Sequence, residues 1–341
     1  MQPISKAKLF FTVTIIAIVI LVFLELLLGS VSIPFADVIK FISAGSASNT
    51  VNQSILLNFR LPKVITAMLA GSALAVSGLQ MQTVFRNPLA GPYVLGISSG
   101  ASLGVSIVVL SSSALGLSFW LGRIGIVLAA LTGSMLILLL ILAISVRVRD
   151  IMTILILGMM FGSAASAVTS ILQYFSDESS LKTYVIWTMG SLSGVSGSQI
   201  WLFVGLVLLG HILALSSARP LNVLSLGENY ARSLGYRVER VRFMVFLSTS
   251  LLAGTTTAFC GPIGFIGIAV PHIVRIAIRT ANHAVLIPAT FTLGIAVMLV
   301  CDLISQLPGY DIVLPVNSVA ALMGIPVVVY IIFRNKKISP V

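Results

Sequence analysis

Among the residues able to do chemistry, Asp302 stands out because it interrupts an otherwise apolar run. A carboxylate at the bilayer centre costs about 2.5–3.5 kcal/mol on insertion scales, so it needs a partner or a wet cavity. A helix–helix hydrogen bond is its plainest use; proton or ion coupling is the sharper one. Glu25, near the end of the first apolar run, reads as interfacial. His211, His272 and His283 are scattered, and none has a partner at i+4, so they suggest no metal cluster. Cys260 and Cys301 lack metal-ligand spacing and read as small buried hydrophobes. There is no G-x-x-x-x-G-K-[ST] phosphate loop, no H-E-x-x-H and no G-x-S-x-G. The chain therefore carries no visible means of hydrolysing ATP and no catalytic constellation.

The elements that must position these residues are membrane spans. Of 341 residues, 58% are hydrophobic and 9% charged, and the mean hydropathy is +1.12. Soluble domains carry about 25% charged residues, so this chain could not cover a water-facing surface. Apolar runs at 9–28, 64–85, 124–146, 200–218, 241–260 and 285–304 approach the roughly 20 residues a spanning helix needs. Shorter or Gly-interrupted runs lie at 93–110, 151–175, 262–278 and 316–333. The expectation is an all-α polytopic protein of about ten transmembrane helices, forming one permease-like domain over 1–341. The first run follows Lys6 and Lys8 but is long for a signal peptide, and is expected to stay as an uncleaved helix.

The net charge of +11 is a topology signal rather than a nucleic-acid footprint. With the N-terminus inside and ten spans, Lys6, Lys8, Arg86, Arg147, Arg149, Arg219, Arg232, Arg237, Arg240, Arg242, Arg275, Arg279, Arg334, Lys336 and Lys337 fall on one side. Lys40, Arg60, Lys63, Arg123 and Lys182 fall on the other. That asymmetry places both termini in the cytoplasm, on the lipid-bilayer face richer in anionic headgroups.

Two stretches interrupt helices. Asn87-Pro-Leu-Ala-Gly-Pro92 sits between spans, and Gly261-Pro-Ile-Gly-Phe-Ile-Gly267 precedes Pro271 and His272. Irregular backbone at membrane depth is tolerated only inside protein or beside a water-filled cavity, so both are candidates for the wall or gate of a pathway. Leu69-Ala-Gly71 with Gly78 is echoed, 183 residues on, by Leu252-Ala-Gly254 with Gly261. The two copies would run in opposite directions, a weak sign of an inverted repeat. Gly96, Gly100 and Gly104, like Gly158 and Gly162, repeat every four residues and predict close helix contact.

The segment 219–240 is the longest inner loop. Ser225 and Glu228 form an S-x-x-E capping box, and Gly235 sits where a C′ glycine ends a helix. Leu226, Tyr230 and Leu234 share one face. The spacing predicts a helix over 226–234, too short to span, with an apolar ridge turned to the cytoplasm. It either packs on its own protein or meets a cytoplasmic partner.

Co-linear motifs now carry a resemblance. Arg60-Leu-Pro-Lys63, Gly71-Ser-Ala-Leu-Ala-Val-Ser-Gly78, Gln80, Arg86-Asn-Pro-Leu-Ala90, Gly96-Ile-Ser-Ser-Gly-Ala101, Trp187-Thr-Met-Gly-Ser191, Leu221-Asn-Val-Leu-Ser-Leu-Gly-Glu228, Ser233-Leu-Gly235 and Gly264-Phe-Ile-Gly-Ile-Ala-Val-Pro-His-Ile-Val-Arg275 follow in order over roughly 55–335. Together they resemble the FecCD-type permeases, the membrane subunits of bacterial ABC importers for iron-siderophores, haem and vitamin B12.

The resemblance implies a fold like the vitamin B12 importer permease in the cytoplasmic (inner) membrane. It implies a homodimer around a central pathway, two cytoplasmic ABC ATPase subunits and an extracytoplasmic substrate-binding protein. No cofactor would belong to this chain, since ATP and Mg²⁺ would be used by the ATPase. Within a coupling segment at 221–236, Ser225, Gly227, Glu228, Ala231, Arg232, Leu234 and Gly235 would meet the ATPase. Arg60 and Lys63 would form an outer basic pair for the binding protein. Asn87, Leu89, Asp150, Ile151 and Met152 would belong to the gate. The chain departs from the family at Asp150–Met152, where the cobalamin branch has small hydroxylated residues. It also departs at Gln306, in place of a second docking arginine, and at Val313-Leu-Pro-Val-Asn317, in place of Glu-Leu-Pro-Val-Gly. An ion-coupled secondary transporter is the competing reading, resting on Asp302 and the inverted echo. Nothing in these residues separates siderophore, haem and cobalamin.

Overall fold

The structure is a computed structural model that describes residues 3–29, 31, 33–45, 49–111, 122–148, 150–195, 197–307 and 313–336. Ser30, Ser32, Arg149, Lys337, part of the small-polar stretch after Ser43, most of the 111–122 loop and half of the 306–315 loop lie outside them. The described residues are helical with no strand. Seven helices are long and apolar enough to cross a membrane, and three shorter apolar helices complete the ten expected runs.

In chain order the helices are α1 (Pro3–Leu27), α2 (Phe35–Ala44), α3 (Thr50–Val84) and α4 (Ile97–Leu110). Next come α5 (Arg123–Arg147), α6 (Ile151–Phe175), α7 (Glu178–Thr188) and α8 (Ser198–Ser216). The short α9 (Ala218–Leu226) and α10 (Glu228–Ser233) lead into α11 (Val238–Cys260). The chain closes with α12 (Ile266–Ile278), α13 (His283–Gln306) and α14 (Val316–Lys336).

The central element is α3, whose apolar window is 83% buried, against 17% for the peripheral α1. From Ala70 to Gly78 all residues are buried, and all but Leu74 and Val76 are Ala, Gly or Ser. Small residues let α13, α12, α8 and α11 close around it. The extreme case is Gly78, where an added Cβ would lie 1.8 Å from the carbonyl oxygen of Gly267. The expected glycine faces also meet: Gly96 abuts Gly158 and Gly162, and Gly100 and Gly104 abut Gly133 and Ala129. Two π-turns, Leu56–Arg60 and Ser250–Gly254, lie within α3 and α11. The first adjoins Pro62, which lacks an amide donor. The second takes in Leu252-Ala-Gly254, so the later copy of the echo is not regular helix.

Apolar side chains form two clusters. The larger fills the space around α3, α8, α12 and α13. The smaller joins the C-terminal end of α3 (Met81, Val84, Phe85) to the start of α6 (Ile154, with Ile151 against it), to Leu221, Leu224 and Ala231, and to the base of α11 (Val238, Phe246).

The candidate pathway and coupling site

The two helix-breaking stretches pack on each other. Gln82 Nε2 donates to the Ile268 carbonyl at 3.1 Å, and His272 Nε2 lies 2.8 Å from the Pro88 carbonyl oxygen. Tyr93 Oη lies 3.0 Å from the Ile263 carbonyl oxygen and accepts from Ile263 N–H at 3.3 Å. Asn317, which replaces the family glycine, accepts from Gly264 N–H at 3.0 Å. The carbonyls of Pro88, Ile263 and Ile268 and the amides of Ile263 and Gly264 are thus satisfied inside the protein, as a low-dielectric setting requires. On the exposed rim of this joint stand Leu89, 40% exposed, and half-buried Asn87, whose Oδ1 accepts from Leu89 N–H at 2.9 Å.

The second expected gate segment begins α6. Asp150 is its N-cap, accepting from Thr153 Oγ1 at 2.7 Å and from the amides of Thr153 and Met152. These bonds, the Thr153 hydroxyl first, hold its carboxyl below the usual range. Met152 is 45% exposed. The two segments occupy separate turns, and the smaller apolar cluster connects them through Phe85, Ile151 and Ile154.

The coupling segment differs from its sequence reading. No capping box forms: α9 runs through Ser225, whose Oγ donates to the Asn222 carbonyl at 2.7 Å. The helix breaks at Gly227, with φ 133° and ψ 145°, a conformation essentially restricted to glycine. The expected nine-residue helix is therefore two pieces around a hinge. Glu228 does not reach back to Ser225 either, because it is ion-paired with Arg242. Arg242 is 1% exposed, and a buried guanidinium without a counter-charge would be costly.

Gly235 does end the turn, with φ 82°, and the Tyr236 N–H bonds the Ala231 carbonyl. Ala231 is 2% exposed and packs into the smaller apolar cluster. Arg232 pairs with Glu239 at 2.6 Å on the surface. The apolar ridge is real: Leu226, Tyr230 and Leu234 are 69%, 50% and 53% exposed.

At the end of the fold that carries Arg60 and Lys63, the reading of Glu25 requires correction. Glu25 is not interfacial but 2% exposed, and accepts from Gln306 Nε2 at 2.5 Å. Asp302 is paired with Lys63 at 2.9 Å. Arg60 is buried and gives its guanidinium to the carbonyls of Leu26 and Val31. Arg60 and Lys63 thus bond within the chain, to two carbonyls and to the buried carboxylate of Asp302. Gln306, the departure from the family, is the link between Glu25 and Asp302.

Sequence reasoning missed Arg242, Asn222 and Gln80. Gln80 accepts from Ser248 and Thr249 and donates to Ser217 in the core. Arg242 was legible in principle: few acids lie on the inner side, so any buried one there selects an arginine.

Broken helices joined at mid-protein, a core helix of small residues and a hinged extramembrane turn define a multi-pass membrane permease. The chain belongs to the FecCD transport family, whose model it matches over residues 17–334. It is 34% identical over 297 residues to the vitamin B12 import system permease protein BtuC of Klebsiella pneumoniae subsp. pneumoniae, covering 87% of this chain and 88% of that one. With BtuC of Salmonella paratyphi A it shares 33% over 298 residues, covering 87% and 89%. A solved structure of a transporter assigned to the metal-chelate ABC type, in an inward-facing conformation, superposes with a TM-score of 0.83 at 29% identity, covering 96% of this chain and 99% of that one. PsaBC from Streptococcus pneumoniae shares the fold at a TM-score of 0.54 and 17% identity, covering 81% and 92%.

Proposed function

We propose that this chain is the membrane-spanning permease of a bacterial ATP-binding-cassette importer that carries a large organic metal chelate inward: a ferric siderophore, haem or cobalamin. Two copies would enclose the pathway, with both termini in the cytoplasm. Two ATPase subunits would supply the hydrolysis, using their own ATP and Mg²⁺, and a binding protein would deliver the chelate from outside.

The observation that carries the coupling role is the apolar ridge of Leu226, Tyr230 and Leu234, exposed beside a buried ion pair. A loop helix packed only on its own protein would bury such a ridge. Here the buried face is Leu221, Leu224 and Ala231, and the opposite face is left for a partner. Movement of α10 about Gly227 would pull on Arg242 at the base of α11. It would also press the smaller cluster, which holds the inner end of α3 and the start of α6. That route links the ATPase to Asn87, Leu89, Asp150, Ile151 and Met152.

The outer ends of α1, α3 and α13 would form the docking platform. Arg60 and Lys63 act there by holding the helix ends in register, not by offering free charges. The ion-coupled alternative is not favoured, since Asp302 is committed to Lys63. The test is uptake and ATP hydrolysis in proteoliposomes of the full complex carrying Gly227→Ala or Glu228→Gln. Hydrolysis should continue while chelate uptake falls at least tenfold; normal uptake in both variants would remove the coupling role.

A further inference from the structure

The inner ends of α3, α12 and α13 and the last turn of α9 enclose a cavity of about 410 Å³ that the transport reading leaves unused. Three arginines line it: Arg86, Arg275 and Arg279, and no Asp or Glu does. The acids described on that side are engaged elsewhere: Glu228 with Arg242, Glu239 with Arg232, and Asp150 at the cap of α6. Arg275 Nη2 donates to Thr83 Oγ1 at 3.3 Å, while its Nε is buried without a hydrogen-bond partner. Gln82 lines the same cavity; its Nε2 is spent on Ile268, and its Oε1 is likewise unpartnered. Arg279 is exposed, held at the C-cap of α12 by a left-handed backbone with φ 57°, and has no ion-pair partner among the described residues. Arg86 Nη2 donates to the Leu224 carbonyl at 3.3 Å, close to the Gly227 hinge.

Three like charges around one concavity repel, and a bound anion would remove that repulsion. Guanidinium forks match the tetrahedral oxygens of phosphate. A neutral acceptor such as Gln82 beside them suits a group bearing a hydroxyl as well as oxyanions. The walls are pre-set, since Thr83 also lies 2.9 Å from His283 Nε2, and Asn222 Oδ1 accepts from the His283 N–H. A ligand seated here would therefore touch α3, α12 and α13, and through Arg86 the end of α9.

We propose that this cavity is a phosphate-binding site, occupied by free phosphate or by the phosphate of an anionic lipid headgroup, and that the bound group braces the hinge at Gly227. Binding rests on the geometry of the cavity alone; only the bracing rests on the coupling role proposed above.

The test uses the full-length permease assembled with its ATPase partners in nanodiscs. One arm holds zwitterionic lipid and titrates inorganic phosphate at constant ionic strength. The other contains no inorganic phosphate and raises the fraction of phosphatidylglycerol. Thermal unfolding is read in both, and ATP-driven uptake is measured separately, so that a failed coupling role leaves the binding result intact. Saturable stabilisation is expected in at least one arm, and the responding arm identifies the source. The apparent affinity should fall about tenfold in Arg279→Gln, the loss of one charge-assisted contact. It should fall similarly in Arg275→Gln and stay unchanged in Arg237→Gln, an exposed arginine away from the cavity. No saturable response in either arm, an equal response to chloride, or an unaltered response in Arg279→Gln would overturn the proposal.

Discussion

The two ends of the molecule handle charge in opposite ways. At the end carrying Arg60 and Lys63, expected to face outward, Lys63 and Asp302 pair, Arg60 bonds two carbonyls and Gln306 bonds Glu25, whose Oε1 alone is left without a hydrogen bond. At the opposite end, expected to face inward, arginines outnumber acids among the described residues. One of them, Arg242, is buried against Glu228, while Arg86, Arg275 and Arg279 gather around a cavity without an acid. The outer arrangement fixes helices to one another. The inner one leaves a hinge and an unneutralised surface, which suits an end that must move and meet partners. A static platform and a working end can thus be told apart by whether opposite charges are brought together, as Lys63 and Asp302 are, or like charges are gathered, as Arg86, Arg275 and Arg279 are.

Breaking the outer match should have the largest effect. Lys63→Met leaves Asp302 buried and unpaired, which should cost about 3–5 kcal/mol of stability. Thermal unfolding in detergent measures it, and adding Asp302→Asn should restore most of the loss. If the single variant were as stable as the parent, the outer network would not be a fixed platform.

At the inner end, Gly227→Ala forces a side chain into a glycine-only conformation, a strain of about 1–3 kcal/mol. Its melting shift should therefore be smaller than that of Lys63→Met, although its effect on uptake is larger. A reversed order of the two stability losses would contradict the division into platform and hinge. Arg232→Gln removes only the exposed pair with Glu239, and should change stability by about 0–1 kcal/mol. A denaturation curve displaced further would mean that this pair holds α10.

The smallest effect should come from pH at the outer loop. Asp177 caps α7, and bonds from the Ser180 amide and Ser179 hydroxyl push its carboxyl down to about 2. Its unfolded value is about 3.9. The contribution is thus complete above about pH 4 and disappears as pH falls toward 2. Melting temperature should be flat between pH 5 and 8 as far as this group is concerned, and Asp177→Asn should remove its share of the acid-side decline.

The ten apolar runs were legible because a membrane imposes length and composition, and each run became one helix. The Pro88 and Pro262 breaks were legible for the same reason, as were the glycine faces. Partners across the fold were not. Ser225 and Glu228 satisfy the local rule for a capping box, yet the buried Arg242 outbids the backbone for the carboxylate. Arg60 and Lys63 look exposed by their place at a helix end. Only the approach of α1 and α13 shows that carbonyls and a carboxylate wait for them. Local spacing records what a segment would do alone, and charge pairing records what its neighbours ask of it.

The outer network has a consequence for biosynthesis. Glu25 and Gln306 lie 281 residues apart in the chain, an interval that takes a ribosome roughly 15–55 s at ordinary elongation rates. Throughout that time the nascent protein sits in the membrane with Glu25, and then Lys63, lacking the partners that α13 will bring. The molecule is thus fastened last at the point where its earliest helices are anchored, and a chain interrupted before α13 holds Lys63 without its Asp302 partner.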